Sequence, residues 1–290
     1  MRSIDPAQTP IPDLHQFIIG AVAPRPIAFA STISADGTPN LAPYSFFNAF
    51  GSNPPTLIFS SNRRVRGNTT KDTLSNVEAH QEVVINVVNY QIVYQMSLAS
   101  VEYPEDVSEF EKAGLTPIPS DLVKPFRVKE SPVQFECKVN EIKALGDQGG
   151  APNLIICEIL RIHINEDVLD ENDRIDPQKI DLMGRMGRAF YCRAHGSNVF
   201  PILQPVKKIG VGVDNLPDAI RTSSILTGNN LAQLASVEAI PAQDFGMRSD
   251  PRVLTALSSD PAKRSFHLHT YAKALLEIGE VDKAWQVLLM

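Results

Sequence analysis

Between residues 24 and 76 the chain reads PRPIAFASTISADGTPNLAPYSFFNAFGSNPPTLIFSSNRRVRGNTTKDTLSN, and the order of signals in this run restricts the fold strongly. An apolar run at 27–33 ends in Ser34-Ala35-Asp36-Gly37, and an Asp-Gly pair between apolar runs marks a tight hairpin turn. Extended structure resumes at 41–50 with Tyr44, Phe46, Phe47 and Phe50, breaks at Pro54-Pro55, and returns as a short buried strand at 56–59. A polar loop then runs into a helix expected over 70–80, with Thr69 or Thr70 as its N-cap. Strands joined by such short turns pair antiparallel.

The loop carries chemistry. Ser60-Ser61-Asn62-Arg63-Arg64 is followed closely by Thr69-Thr70-Lys71-Asp72-Thr73. Hydroxyls, cations and the free N–H groups of a helix start are what a phosphate dianion requires. The same segment could also be a polar loop ahead of a well-capped helix.

Downstream, 82–88 reads as a central strand and 91–120 turns helical. Ser108 with Glu111 matches a capping box there, and Gly114 stands at the C-terminal cap. Two long strands are expected at 133–145 and 154–164, and the second is apolar on both parities, as in a barrel strand covered on its outer side. After about residue 200 short helical segments take over, which divides the chain into 1–203 and 204–290. Near the end, Leu268, Ala272, Leu275 and Leu276 fall on one helical face, Gly279 stops the helix, and Val281, Ala284, Trp285 and Leu288 form another face. This looks like one tetratricopeptide-type helix pair, and one unit cannot bury its own stripe. It is therefore expected to fold back on the barrel or a dimer mate, with Trp285 buried.

Composition excludes several partners. A net charge of −6 and an isoelectric point near 5.6 argue against nucleic acid, whose phosphate backbone demands a basic face. No apolar run is long enough for a membrane span, and the first residues lack the apolar core of a secretion signal. Cys137, Cys157 and Cys192 are widely spaced, which suits free thiols in a reducing cytoplasm. No Ser/His/Asp arrangement and no GxGxxG run is present. His267 and His269 lack a third ligand nearby, so no metal is expected. His163 and His195 are more simply packed histidines than ligand contacts.

The motifs PRPIAFAST, DG, N-x-APYSFF, PP-x-LIFSS and KDT-x-x-N, with VVINVV at 83–88, SEFEKAGLTPIPS at 108–120, ESPVQFECKVNEIKAL at 130–145 and GRMGRAFY at 184–191, resemble the flavin reductase-like family. The resemblance covers roughly residues 10–195 and implies a mainly β fold with helices, an FMN-binding split β-barrel, to which a C-terminal helical extension is added. It implies phosphate contacts from Ser60, Ser61, Arg63 and Lys71 with support from Thr70 and Thr73, though the sequence leaves open which of Arg63, Arg64 and Arg66 faces the ligand. It places the flavin ring beside Ser31, Thr32, Tyr44, Ser45, Phe46, Phe47 and Asn48, and it matches Arg185 to the closing motif, where a structural salt bridge is an equal reading. The implied activity is NAD(P)H:flavin oxidoreduction. FMN is the cofactor, NADH or NADPH the donor, a homodimer the assembly, and a monooxygenase or other electron acceptor the partner. A non-enzymatic FMN-binding electron carrier of the flavoredoxin type is the alternative.

Overall fold

In the computed structural model, which describes residues 1–104, 107–202 and 209–290, the Asp36-Gly37 turn closes a hairpin between β1 (Ala28–Ile33) and β2 (Pro39–Tyr44). Gly37 sits at φ +94°, a conformation that suits glycine, and Ser34 N–H donates to the Thr38 carbonyl across the turn. The extended run expected at 41–50 is two strands. It breaks at Ser45-Phe46, and β3 (Phe47–Ser52) then pairs with β4 (Pro55–Ser60).

These strands join β5 (Glu82–Val87) and two twelve-residue strands in one antiparallel sheet. The short strands β6 (Pro117–Ile118) and β7 (Arg127–Val128) pair only with each other, and the long ones are β8 (Val133–Ala144) and β9 (Asn153–Ile164). The order in the large sheet is β2-β1-β5-β8-β9-β4-β3. Its two edge strands are consecutive in the chain and joined by two residues, a link that spans no more than about 10 Å. Such edges must lie side by side at that end, so the sheet curls into a split barrel. Phe46 at the join accepts the Ser60 N–H through its carbonyl at 2.9 Å, which ties the corner to the end of β4.

β1 is buried on both faces. Ala28 and Ala30 pack with Phe59, Ile85 and Ile155 inside the barrel. Phe29 packs with Leu41, Met96 and Phe110 under α3 (Val93–Leu98) and α4 (Glu109–Ala113). The capping box expected at Ser108 does not form, for the Ser108 side chain makes no capping bond. Gly114 does end α4 in the left-handed conformation at φ +64°. The neighbouring carboxylate, Glu109, accepts the Leu41 N–H at 3.0 Å, which satisfies a donor on the free edge of β2. On β9, Leu160, Ile162 and Ile164 stay 39–49% exposed among the described residues of the first unit.

The chain divides into two compact units, Met1–Phe200 and Pro201–Met290. The boundary expected at 203–204 lies outside the described residues. The second unit is helical: α5 (Asp218–Arg221), α6 (Gly228–Leu234), α7 (Pro251–Leu257), α8 (Pro261–Glu277) and α9 (Val281–Leu288). Its core gathers Ile220, Leu234, Val253, Leu268, Leu276 and Trp285. The stripe that one helix pair cannot bury alone is thus covered by α5, α6 and α7 of the same unit. Trp285 is fully buried and donates its indole N–H to the Leu234 carbonyl at 3.2 Å. Among the described residues no helix is long and apolar enough to cross a membrane.

Because Trp285 is the chain's one tryptophan, its emission should resist acrylamide in the native protein and become quenchable only on unfolding. Trp285→Ala should destabilise the second unit by about 3–5 kcal/mol, read by urea denaturation. Native quenching equal to that of a free indole would sink the assignment.

Candidate functional site

The site grows from the start of α2 (Asp72–His80). Lys71 occupies the N-cap position with extended backbone, and no side chain caps the helix. The expected caps do other work. Thr69 accepts from Arg64 Nη1 through its hydroxyl at 3.2 Å, and the Thr70 carbonyl accepts from the same nitrogen. The N–H groups at the head of a helix have no partner within it, so the uncapped start of α2 offers donors and a positive dipole end to an anion.

Two cations flank this start. The Lys71 ammonium lies over the Tyr44 ring, 5.1 Å from its centroid. Burial lowers its pKa, repulsion from Arg64 lowers it further, and Glu102 and Asp72 only partly offset this. An anion docked beside Lys71 would relieve both penalties. Arg64 is held by Glu102 at 2.6 Å, and that bond holds the Glu102 carboxyl below its ordinary value. Arg63 turns elsewhere: Nε donates to Asn68 Oδ1 and Nη2 to the Asn68 carbonyl, both at 2.6 Å. Arg64, rather than Arg63, is therefore the guanidinium beside Lys71.

The hydroxyls converge on the same place. Ser61 and Tyr44 are buried; the Tyr44 phenol adjoins the Ser61 and Thr73 hydroxyls, but neither Tyr44 nor Ser61 completes a hydrogen bond of good geometry. Burial pushes the Tyr44 phenol upward, so it stays a neutral donor. Thr73, also buried, accepts from Asn40 Nδ2 at 2.9 Å. Ser60 is committed to Asn62 at 2.6 Å, and its backbone N–H to Phe46.

Of the residues expected at the flavin ring, Tyr44, Ser45, Phe46, Phe47 and Asn48 lie around the β2–β3 corner, whereas Ser31 and Thr32 stand opposite Leu41 and Asn40 farther along the hairpin. Tyr44 packs on Phe59 with centroids 5.3 Å apart, and Phe47 lies against the same core. Phe46 meets His15 edge-on at 6.1 Å. Asn48 is exposed and caps the Ala49 N–H with its own side chain. Ser31 and Thr32 are adjacent on one strand and so face opposite sides of it. Ser31 has a buried hydroxyl without a partner, whereas Thr32 accepts from both Asn40 and Asn76 at 3.0 Å. Arg185 stacks on Tyr191 at 4.5 Å and donates to the Arg188 carbonyl at 2.7 Å.

Sequence reasoning missed Arg25. Its guanidinium donates to the carbonyls of Ile19 (2.7 Å), Val22 (2.6 Å) and Met186 (3.1 Å), and to Ser45 Oγ at 3.4 Å. It thereby ties α1 (Ile11–Ala21), the 184–187 segment and the β2–β3 corner together. Gly184 and Gly187 permit that approach, since a Cβ on Gly187 would sit 3.1 Å from Gly20 Cα and one on Gly184 2.9 Å from Pro24 Cβ. The signal was a lone arginine between two prolines, and nothing local announced its partners. His163 lies in a separate ion network. Its Nε2 meets the buried Glu136 at 2.6 Å, and Glu136 also accepts from the Asp121 and Leu122 N–H groups. Arg161 and Arg127 complete the charge balance around Asp121 and Glu136.

Five buried side-chain polar atoms lack partners among the described residues, and two of them, on Tyr44 and Ser61, adjoin each other at this site, whereas Ser31 faces the opposite side of β1 with Phe29 and Leu41. Buried orphans are rare in native proteins, so such a pair beside Lys71 points to a polar ligand. Together with Lys71, Arg64 and the uncapped α2, the donor set fits a phosphorylated flavin.

Comparison with known proteins identifies the family. An uncharacterized protein of Aquifex aeolicus is 42% identical over 183 residues, covering 63% of this chain and 91% of its relative. The crystal structure of nitrilotriacetate monooxygenase component B from Bacillus cereus superposes with a TM-score of 0.63 at 30% identity, over 67% of this chain and 95% of the other. The 2-nitrobenzoate 2-nitroreductase of Pseudomonas fluorescens gives 0.63 at 27%, over 73% and 100%. The family model for the flavin reductase like domain matches residues 20–182, and the chain belongs to that family.

Proposed function

We propose that the chain is an FMN-dependent oxidoreductase of the flavin reductase type, its flavin chemistry residing in the first unit and its second unit serving as a helical extension. One observation carries the reading. In a chain of this family, the uncapped start of α2 gathers two cations and the adjoining buried hydroxyls of Ser61, Tyr44 and Thr73. Lys71, Arg64, Ser61, Tyr44 and Thr73 would hold the phosphate, with the corner residues Ser45, Phe46 and Phe47 bordering the ring. Bound FMN would supply hydride acceptance from NADH or NADPH, chemistry that belongs to the cofactor. The protein's part is position: Arg25 fixes the corner, and the apolar side chains keep water away from it. Such a division of labour needs no catalytic triad. The likeness to a monooxygenase component supports delivery of reduced flavin to a partner oxygenase, and the three free cysteines suit a cytoplasmic setting.

The test begins with colour and turnover. Purified protein reconstituted with FMN should show a flavin spectrum and oxidise NADH or NADPH in air. A yellow protein that oxidises neither is the electron carrier instead. Lys71→Ala should weaken FMN by about 1.5–3 kcal/mol, the cost of removing a charged hydrogen-bond partner, and leave riboflavin nearly unchanged. An unaltered FMN titration would move the phosphate elsewhere.

We also infer a homodimer, supported by the exposed row Leu160, Ile162 and Ile164 on β9 and by the exposed edge strand β3 with Phe50 at 63% exposure. Light scattering should return twice the 31.8 kDa chain mass, and Ile162→Glu should return a single chain. A monomeric parent at micromolar concentration defeats the inference.

A further inference from the structure

Two amides, the half-buried Asn40 and the buried Asn76, lie behind the phosphate-facing hydroxyls. Asn40, on β2, donates through Nδ2 to Thr73 Oγ1 at 2.9 Å and to Thr32 Oγ1 at 3.0 Å. Asn76, one turn along α2 from Thr73, donates to the same Thr32 oxygen at 3.0 Å. The first turn of α2 is thereby laced to both strands of the β1–β2 hairpin. Thr32, Thr73 and Asn76 are all buried, so the Asn76–Thr32 bond is shielded from competing water, while the two Asn40 bonds are partly buried. Behind them a cavity of about 150 Å³ is lined by Asn40, Asp72, Asn76 and Glu109.

The direction of the bonds matters more than their number. A hydroxyl has one proton to give, and its lone pairs can accept. Asn40 offers Thr73 an N–H, which occupies a lone pair and leaves the Thr73 proton free to point away from Asn40. On that side lies the Tyr44 phenol, which the Thr73 and Ser61 hydroxyls adjoin, and then Lys71 over the Tyr44 ring. Were an acceptor in place of the Asn40 amide nitrogen, the Thr73 proton would turn inward and the set would lose a donor.

We propose that Asn40 is a positioning residue for phosphate recognition, which orients the Thr73 hydroxyl as a donor toward the anion and fixes the first turn of α2 against the hairpin. Asn40 touches no part of the ligand in this assignment. It acts through Thr73, and its effect is selectivity for phosphorylated over unphosphorylated flavin. The proposal rests on the phosphate reading above.

The test measures FMN and riboflavin dissociation constants by flavin fluorescence on the full chain. Asn40→Ala should weaken FMN roughly three- to tenfold, the worth of one hydrogen bond, and leave riboflavin within about twofold. Asn76→Ala, which removes only the Thr32 contact, should preserve the FMN-to-riboflavin ratio. On a Thr73→Val background, Asn40→Ala should add no further loss of that ratio, because the relay is already gone. An unchanged ratio in Asn40→Ala, or the same loss in Asn76→Ala, overturns the positioning role. If Asn40→Ala does not fold, Thr73→Val carries the test, and an unchanged ratio there overturns it equally. The two readings fail separately: Lys71→Ala without effect on the ratio removes the phosphate site, whereas an effect from Lys71→Ala with none from Asn40→Ala removes only the relay.

Discussion

A half-buried ammonium beside a guanidinium is unfavourable unless something negative answers it, and the first unit is organised around that constraint. Lys71 is pressed onto the Tyr44 ring and has no ion-pair partner among the described residues, while Glu102 is already held by Arg64. The protein keeps this arrangement because α2 is anchored from beneath. Leu74 and Val77 sit in the barrel core, and Thr73 and Asn76 bond to Asn40 and Thr32. The apolar contacts stabilise the helix, and the amide bonds set where its first turn points.

The barrel supplies the second half of the site through a different device. A two-residue join between the sheet's edge strands forces Tyr44, Ser45, Phe46 and Phe47 into one corner, next to the end of β4 that bears Ser60 and Ser61. Arg25 holds this corner from outside the sheet by donating to three carbonyls and to Ser45. Burial and the nearby Arg185 charge lower the Arg25 pKa, although a guanidinium remains protonated at neutral pH. A charge kept there at such cost serves the geometry of the backbone it binds.

The second unit obeys simpler rules. Apart from the seventeen-residue α8 its helices are short, and they are held by a shared core that includes Trp285. The Thr227–Asn230 capping box and the Asp250 and Asp260 caps fix where three of the helices begin. Tyr271 donates to Asp250, linking α8 to the start of α7. These features account for how the unit folds.

Much of this was legible in one dimension because it depends on neighbours in sequence. The Asp36-Gly37 hairpin, the long strands, Gly114 as a helix stop and the hydroxyl-and-cation loop all follow from local backbone preference and residue chemistry. Capping was misread at Thr69, Thr70 and Ser108, since a cap is decided by where a side chain's best partner lies; Arg64 claims the Thr69 hydroxyl and the Thr70 carbonyl. The tertiary structure alone placed Arg64 rather than Arg63 beside Lys71, because adjacent loop residues diverge and only packing decides where each side chain finds its partners. It alone recruited Arg25 and Asn40, whose partners lie up to 161 residues away. The sequence determined which groups were available for binding a phosphorylated ligand, and the fold decided which of them share a site, because burial and hydrogen-bond direction are properties of contacts between distant segments.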